Sequence, residues 1–287
     1  MLYLTYPLDA LIMIALPVVV GVLLAQKLGA KWGLFGVGAL TFIASQVVHI
    51  PLNAGLTALF ARGVLPAPPA EWKLLFNATV LGTTAGLSEE LSRYLVYRRF
   101  LKSARTWRQA LMFGAGHGGA EAIILGVLVA ATFVTMLSLR GSDLSFVPAD
   151  QRELATQQIA AFWSAQWYDT LLGAVERVSA LCVQVSLAVI VLQSFTRNNP
   201  LWLGLAIVWH AVVDAVAVIA VQTWGVYWTE AIVGLFAMIS LMALFALRQP
   251  EGEAAPPESV PPSPVPVAAP RPAPDPLKEK LEETRYQ

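Results

Sequence analysis

Apolar residues run along this chain in seven long stretches, near residues 7-26, 33-60, 74-97, 109-138, 168-196, 200-222 and 227-247, with polar or proline-rich connections between them. At about 1.5 Å of rise per residue, each can cross roughly 30 Å of hydrocarbon as a helix. The second and fourth stretches exceed what a simple span needs, so tilt, a break at Pro51 or an extension beyond the bilayer is expected. The pattern predicts an all-α polytopic transmembrane bundle of about seven spans over residues 1-248. From residue 249 to 287 the composition turns Pro- and Ala-rich, as in EGEAAPPESVPPSPVPVAAPRPAPDP, and such a segment is expected to be a disordered cytoplasmic tail.

Charge orients the spans. Nine basic residues, Lys27, Lys31, Arg98, Arg99, Lys102, Arg105, Arg108, Arg197 and Arg248, fall on one side, against Arg62, Lys73, Arg140 and Arg152 on the other. That asymmetry places the N-terminus outside and the C-terminus in the cytoplasm of a bacterial cell membrane. The N-terminal stretch lacks a basic start and a small-residue cleavage site, so it reads as a first span rather than a signal peptide. Within the connection 139-167, DQRELATQQIAAFW reads as a short amphipathic surface helix with Trp163 and Trp167 at the interface. With 56% hydrophobic and 13% charged residues and zero formal net charge, nothing suggests a nucleic-acid partner; the lipid bilayer is the surrounding. Cys182, the one cysteine, can form no internal disulfide and reads as a packing residue. No internal repeat of the kind that builds the inverted halves of a secondary transporter is evident.

Ionisable groups inside a span cost on the order of 2.5–3.5 kcal/mol each on insertion scales, so each needs a partner or a purpose. The third span carries GLSEELSRYLVYRR, with Glu89, Glu90 and Arg93 within one turn. The fourth carries GAGHGGAEAI, in which His117 and Glu121 stand four apart and Gly114, Gly116, Gly118 and Gly119 strip side chains from the helix, letting a neighbour approach closely. The fifth carries Glu176, Arg177 and Gln184, and the sixth WHAVVDA, with His210 and Asp214 four apart. Counted from the cytoplasmic ends, Glu90 and His117 lie roughly 12 Å deep, His210 about 15 Å, and Gln184, Glu121 and Asp214 about 18–21 Å. Four helices thus present polar groups to one layer. Two histidines and a glutamate can hold a divalent metal or a water while a second carboxylate takes the proton, the chemistry of hydrolysis. The His117–Glu121 and His210–Asp214 spacings also suit a carboxylate that fixes an imidazole one turn away, or a proton relay. The compact zinc motif H-E-x-x-H is absent.

Four segments in order, SEELSRY at 88-94, GAGHGGAEAI at 114-123, ERVSAL from Glu176 and HAVVD at 210-214, resemble the YhfC family of intramembrane metalloproteases, related in general plan to CAAX prenyl proteases and bacteriocin-processing (CPBP) membrane peptidases. The resemblance implies a helical peptidase with its site inside the bilayer, acting on a membrane-embedded or lipid-anchored peptide. It implies catalytic roles for Glu89 or Glu90 as general base, Arg93 as their holder, His117 as a ligand of metal or water, and His210 as a ligand or oxyanion donor oriented by Asp214. The metal that the resemblance implies is divalent, zinc by preference, on His117, His210 and Glu90, with Glu121, Asp214, Glu176, Arg177 and Gln184 around it. One position departs: after the Glu-Arg pair of the fifth span the family pattern has a histidine, and this chain has Gln184, a poor zinc ligand. A metal site, a two-histidine site, a water-based glutamate mechanism and lost activity all remain open at that point. So do a proton-coupled transporter and a non-catalytic scaffold or immunity protein, since intramembrane Glu, His, Asp and Arg also build relays and helix contacts.

Overall fold

The structure is a computed structural model and describes residues 1–248; the tail expected over 249-287 lies outside the described residues. Eight α-helices are found among the described residues: α1 (Leu2–Leu28), α2 (Trp32–Ala61), α3 (Lys73–Arg99), α4 (Trp107–Leu139), α5 (Arg152–Ser164), α6 (Leu172–Thr196), α7 (Leu201–Thr223) and α8 (Val226–Ala246). Six of them, α1, α2, α4, α6 with the short turn before it, α7 and α8, are long and apolar enough to cross a membrane. The seventh expected span, α3, has the length but carries the charges. Its two faces show how it is accommodated. Leu87, Leu91 and Leu95, four apart, stay exposed on one stripe, while Glu89, Glu90, Arg93 and Tyr97 on the other are buried against the bundle. The chain is a multi-pass integral membrane protein.

No break occurs at Pro51. Helix α2 runs unbroken through it, and its 30 residues extend to about 45 Å, so the extra length is taken up by a long helix. The amphipathic surface segment forms α5, which has no buried residue and rests through Phe162, stacked on Tyr6 at 4.3 Å, and Trp163, 5.1 Å from Tyr3. Arg140 covers the Trp163 ring at 4.7 Å, a cation–π contact suited to an interface.

Helix α4 packs against α1, α2 and α6; α3 packs between α2 and α7; α6 lies against α4, α7 and α8. The glycines expected to permit close approach do so. A Cβ on Gly116 would lie 2.0 Å from the Phe35 carbonyl oxygen, and one on Gly38 would lie 2.1 Å from that of Phe113, so the backbones of α2 and α4 touch through a glycine on each. In lipid, where apolar burial drives helices together only weakly, such backbone contact and interhelical polar pairs hold the bundle. An apolar core of Tyr97, Phe113, Leu187, Val191, Val213 and Leu244 fills the end of the bundle where α3 finishes and α4 begins. The polar layer sits directly beyond that core, in the middle of α3, α4, α6 and α7.

Candidate active site

Local structure supplies each functional side chain on a continuous helix. On α3, Glu89 and Glu90 are adjacent and so point about 100° apart around the axis. They therefore serve different neighbours. Glu90 is fully buried; Arg93, one turn on, donates to its Oε1, and the same oxygen lies 2.7 Å from His210 Nδ1 on α7. Glu89 faces α4, α6 and α2. Its Oε2 lies 3.0 Å from His117 Nε2, accepts from Gln184 Nε2 at 3.2 Å, and stands 3.7 Å from Arg93 Nη2 and 4.0 Å from His210 Nε2.

The approach of the helices again depends on small residues. A Cβ on Gly86 would meet the Ile207 carbonyl oxygen at 2.7 Å, which is why α7 can bring His210 against the two glutamates. A Cβ on Gly118 would meet Gln184 Cβ at 2.7 Å, so the glycine beside His117 makes room for the glutamine.

All ten residues singled out from the sequence join one network. Arg93 also donates to Gln184 Oε1, and Gln184 Nε2 donates on to Glu121 Oε2 at 3.2 Å. Arg177 Nη1 donates to Glu121 Oε1 at 2.7 Å and its other arm to Glu176. His210 Nε2 lies 3.6 Å from Asp214 Oδ2, and the Asp214 side chain, like that of Glu176, is partly exposed. The pairing of His117 with Glu121 expected from their spacing is not formed. Glu121 is taken by Arg177 and Gln184, while His117 Nδ1 is buried without a hydrogen-bond partner, beside the Phe42 ring at 5.4 Å.

The expected metal set is not assembled either. Among the described residues no three His, Cys, Asp or Glu side chains are disposed to hold an ion. Glu90 lies on Nδ1 of His210, the nitrogen turned away from Glu89, and Glu89 Oε2, beside Nε2 of His117 and of His210, also faces the N–H groups of Gln184 and Arg93, which bring no lone pair to an ion. As arranged, these donors suit a hydrogen-bonded carboxylate and do not fit a metal centre.

Helix α2, expected as a span but not as part of the site, adds a second wall. Gln46, His49 and Asn53 occupy one face at helical spacing. Asn53 Nδ2 donates to His49 Nε2 at 2.8 Å, His49 Nδ1 donates to Gln46 Oε1 at 3.3 Å, and Gln46 Nε2 donates to Glu89 Oε1 at 3.3 Å, in the imidazole tautomer that satisfies both neighbours. Every donor in this row points toward Glu89. The readable signal was a polar stripe at i, i+3 and i+7 on an otherwise apolar span.

A family model described as YhfC intramembrane metalloprotease matches residues 12–237. The chain belongs to that family. A relative from Bacillus subtilis (strain 168), described as "Uncharacterized membrane protein YhfC", is 29% identical over 208 residues, which cover 71% of this chain and 79% of the relative. No solved structure matches. The matched region holds every residue of the network described above, from Gln46 to Asp214.

Proposed function

We propose that this protein is an intramembrane peptidase that hydrolyses a peptide bond of a membrane-associated peptide with a water activated by Glu89. The observation that carries the reading is the meeting of one carboxylate oxygen, Glu89 Oε2, with the Nε2 atoms of both His117 and His210 inside the bundle. The family description supports the same class.

In this reading Glu89 accepts a proton from water as the water oxygen bonds to the scissile carbonyl carbon. His117, donating to Glu89 through Nε2, orients the carboxylate. The carbonyl oxygen becomes an oxyanion and accepts from the protonated Nε2 of His210, whose other nitrogen is fixed on Glu90. Asp214, 3.6 Å from that Nε2, steadies the ring. The proton on Glu89 then passes to the leaving nitrogen as the C–N bond breaks, giving a carboxylic acid and an amine, which become carboxylate and ammonium by proton exchange. Arg93 holds both glutamates in place from behind. The description of the family as metalloproteases implies a divalent metal, and the donor arrangement favours the water-based route, so no step here depends on an ion.

The test is cleavage of a quenched fluorescent peptide library by the purified protein. Wild-type chain cuts; Glu89→Gln, His117→Ala and His210→Ala, each shown to be folded by its thermal transition, do not. Full activity in any of the three would overturn the assignment.

A further inference from the structure

The row on α2 leads somewhere. Beyond Asn53, between the outer part of α2 and the start of α3, lies a cavity of about 700 Å³ lined by Asn53, Leu56, Phe60, Lys73, Phe76 and Val80 among others. That volume lies inside the roughly 300–1,000 Å³ range of ligand pockets. Its lining is mostly apolar, with Asn53, Thr57 and Asn77 as neutral polar residues, and its one charged lining residue is Lys73, which has no ion-pair partner among the described residues. Next to the lining residue Asn53, Thr84 of α3 donates to Asn53 Oδ1 at 2.9 Å and lies 3.4 Å from His49 Nε2, so α3 meets the polar row of α2 there.

We propose that this cavity docks an extended apolar segment of the peptide substrate, with a carboxylate of that segment at Lys73, and that Asn53, His49 and Gln46 receive its backbone on the way to Glu89. The proposal rests on the peptidase reading and adds where the substrate lies and which chemistry selects it. Three observations carry it. An extended peptide in the bilayer has unsatisfied N–H and C=O groups that cost several kcal/mol each, and the α2–α3 seam offers amide, imidazole and hydroxyl groups that exchange their bonds to one another for bonds to a peptide. The apolar wall of Leu56, Phe60, Phe76 and Val80 takes the side chains. The unpaired Lys73 ammonium in the lining calls for an anion. Distance makes the proposal specific: Lys73 and Glu89 are sixteen residues apart on one helix, about 24 Å along its axis, which an extended chain covers in about seven residues.

The experiment uses the full chain with benzoylphenylalanine installed at Leu56, or as a control at Leu95, which faces outward on α3. The probe is a biotin-labelled Leu/Ala peptide of about ten residues, long enough to reach from Lys73 to Glu89, with either a free or an amidated C-terminus. Light-driven capture of the free-carboxylate peptide at Leu56 is expected, falling about fivefold on amidation or in Lys73→Glu. Capture no stronger at Leu56 than at Leu95, or indifferent to both changes, overturns the proposal. Glu89→Gln separates the two readings. Capture that persists in that variant while cleavage stops supports both, whereas capture without any cleavage by the unsubstituted catalytic residues leaves the docking site standing and overturns the peptidase reading.

Discussion

His210 Nδ1 lies 2.7 Å from Glu90 Oε1 while its Nε2 faces Glu89 Oε2 at 4.0 Å, so one imidazole is anchored by the second of two adjacent glutamates and offered to the first. The relationship gives the two members of the pair different partners. Glu89→Gln removes the proposed proton acceptor, and the turnover number is expected to fall by about 10²–10⁴. Glu90→Gln leaves that acceptor and weakens the hold on His210 and the pairing with Arg93, so a smaller loss in turnover, with little change in KM, is expected. Steady-state kinetics on the same peptide distinguish the two; a larger loss from Glu90→Gln would reverse the assignment of the base.

Arg93 has a fully buried side chain and serves Glu89, Glu90 and Gln184 at once. Arg93→Ala strands two carboxylates without their cation, and a destabilisation of about 3–5 kcal/mol is expected. Chemical denaturation in detergent measures it. Adding Glu90→Gln to Arg93→Ala is expected to recover part of the loss, because one stranded charge is removed; no recovery would show that Arg93 acts through packing alone.

His49 lies on the proposed peptide path and touches neither reacting atom. His49→Ala is therefore expected to raise KM for apolar peptides while leaving turnover nearly unchanged, the signature of lost uniform binding, and His49→Gln is expected to restore part of the affinity. A drop in turnover at constant KM would instead make His49 part of the proton machinery.

Gln184 Nε2 already sits 3.2 Å from Glu89 Oε2, beside His117. The native chain is expected to bind zinc well below one equivalent by elemental analysis after purification. Gln184→His places a third imidazole at that junction and is expected to raise the thermal transition when zinc is present, an effect reversed by chelator. One tightly held equivalent in the native chain would contradict the donor arrangement described above.

Gly116 meets the Phe35 backbone, whereas nothing lies within 4 Å of a Cβ on Gly36, one helix away. Gly116→Ala is expected to destabilise by about 1–3 kcal/mol through overpacking of α2 on α4. Gly36→Ala, in a helix and in open space, is expected to be neutral or stabilising by up to about 1 kcal/mol. Comparable losses at both positions would mean that α2 and α4 are not held at backbone contact.

Much of the molecule was readable without coordinates because its signals are local. Long apolar stretches specify helices wherever lipid must be met by a backbone that satisfies itself, and the positions of α1 to α8 follow them closely, including the surface helix around Trp163. The shared depth of Glu89, Glu90, His117, Gln184 and His210 was equally visible, since rise per residue is constant along each helix. Partnership was a different matter. Spacing of four joined His117 to Glu121 and left α2 out, although Gln46 and His49 carry polar groups on the same apolar span.

The sequence by itself determined which residues must leave the lipid and at what level they gather, because burial cost and helical rise belong to single helices. Only the tertiary structure decided who meets whom. Glycines at Gly86, Gly116 and Gly118 let α7, α2 and α6 approach so closely that Glu90 takes His210, Arg177 draws Glu121 away from His117, and Gln46 reaches Glu89 from the side. The orientation of each helix about its own axis, set by packing with neighbours far away in sequence, turned a layer of polar residues into one carboxylate facing two histidines.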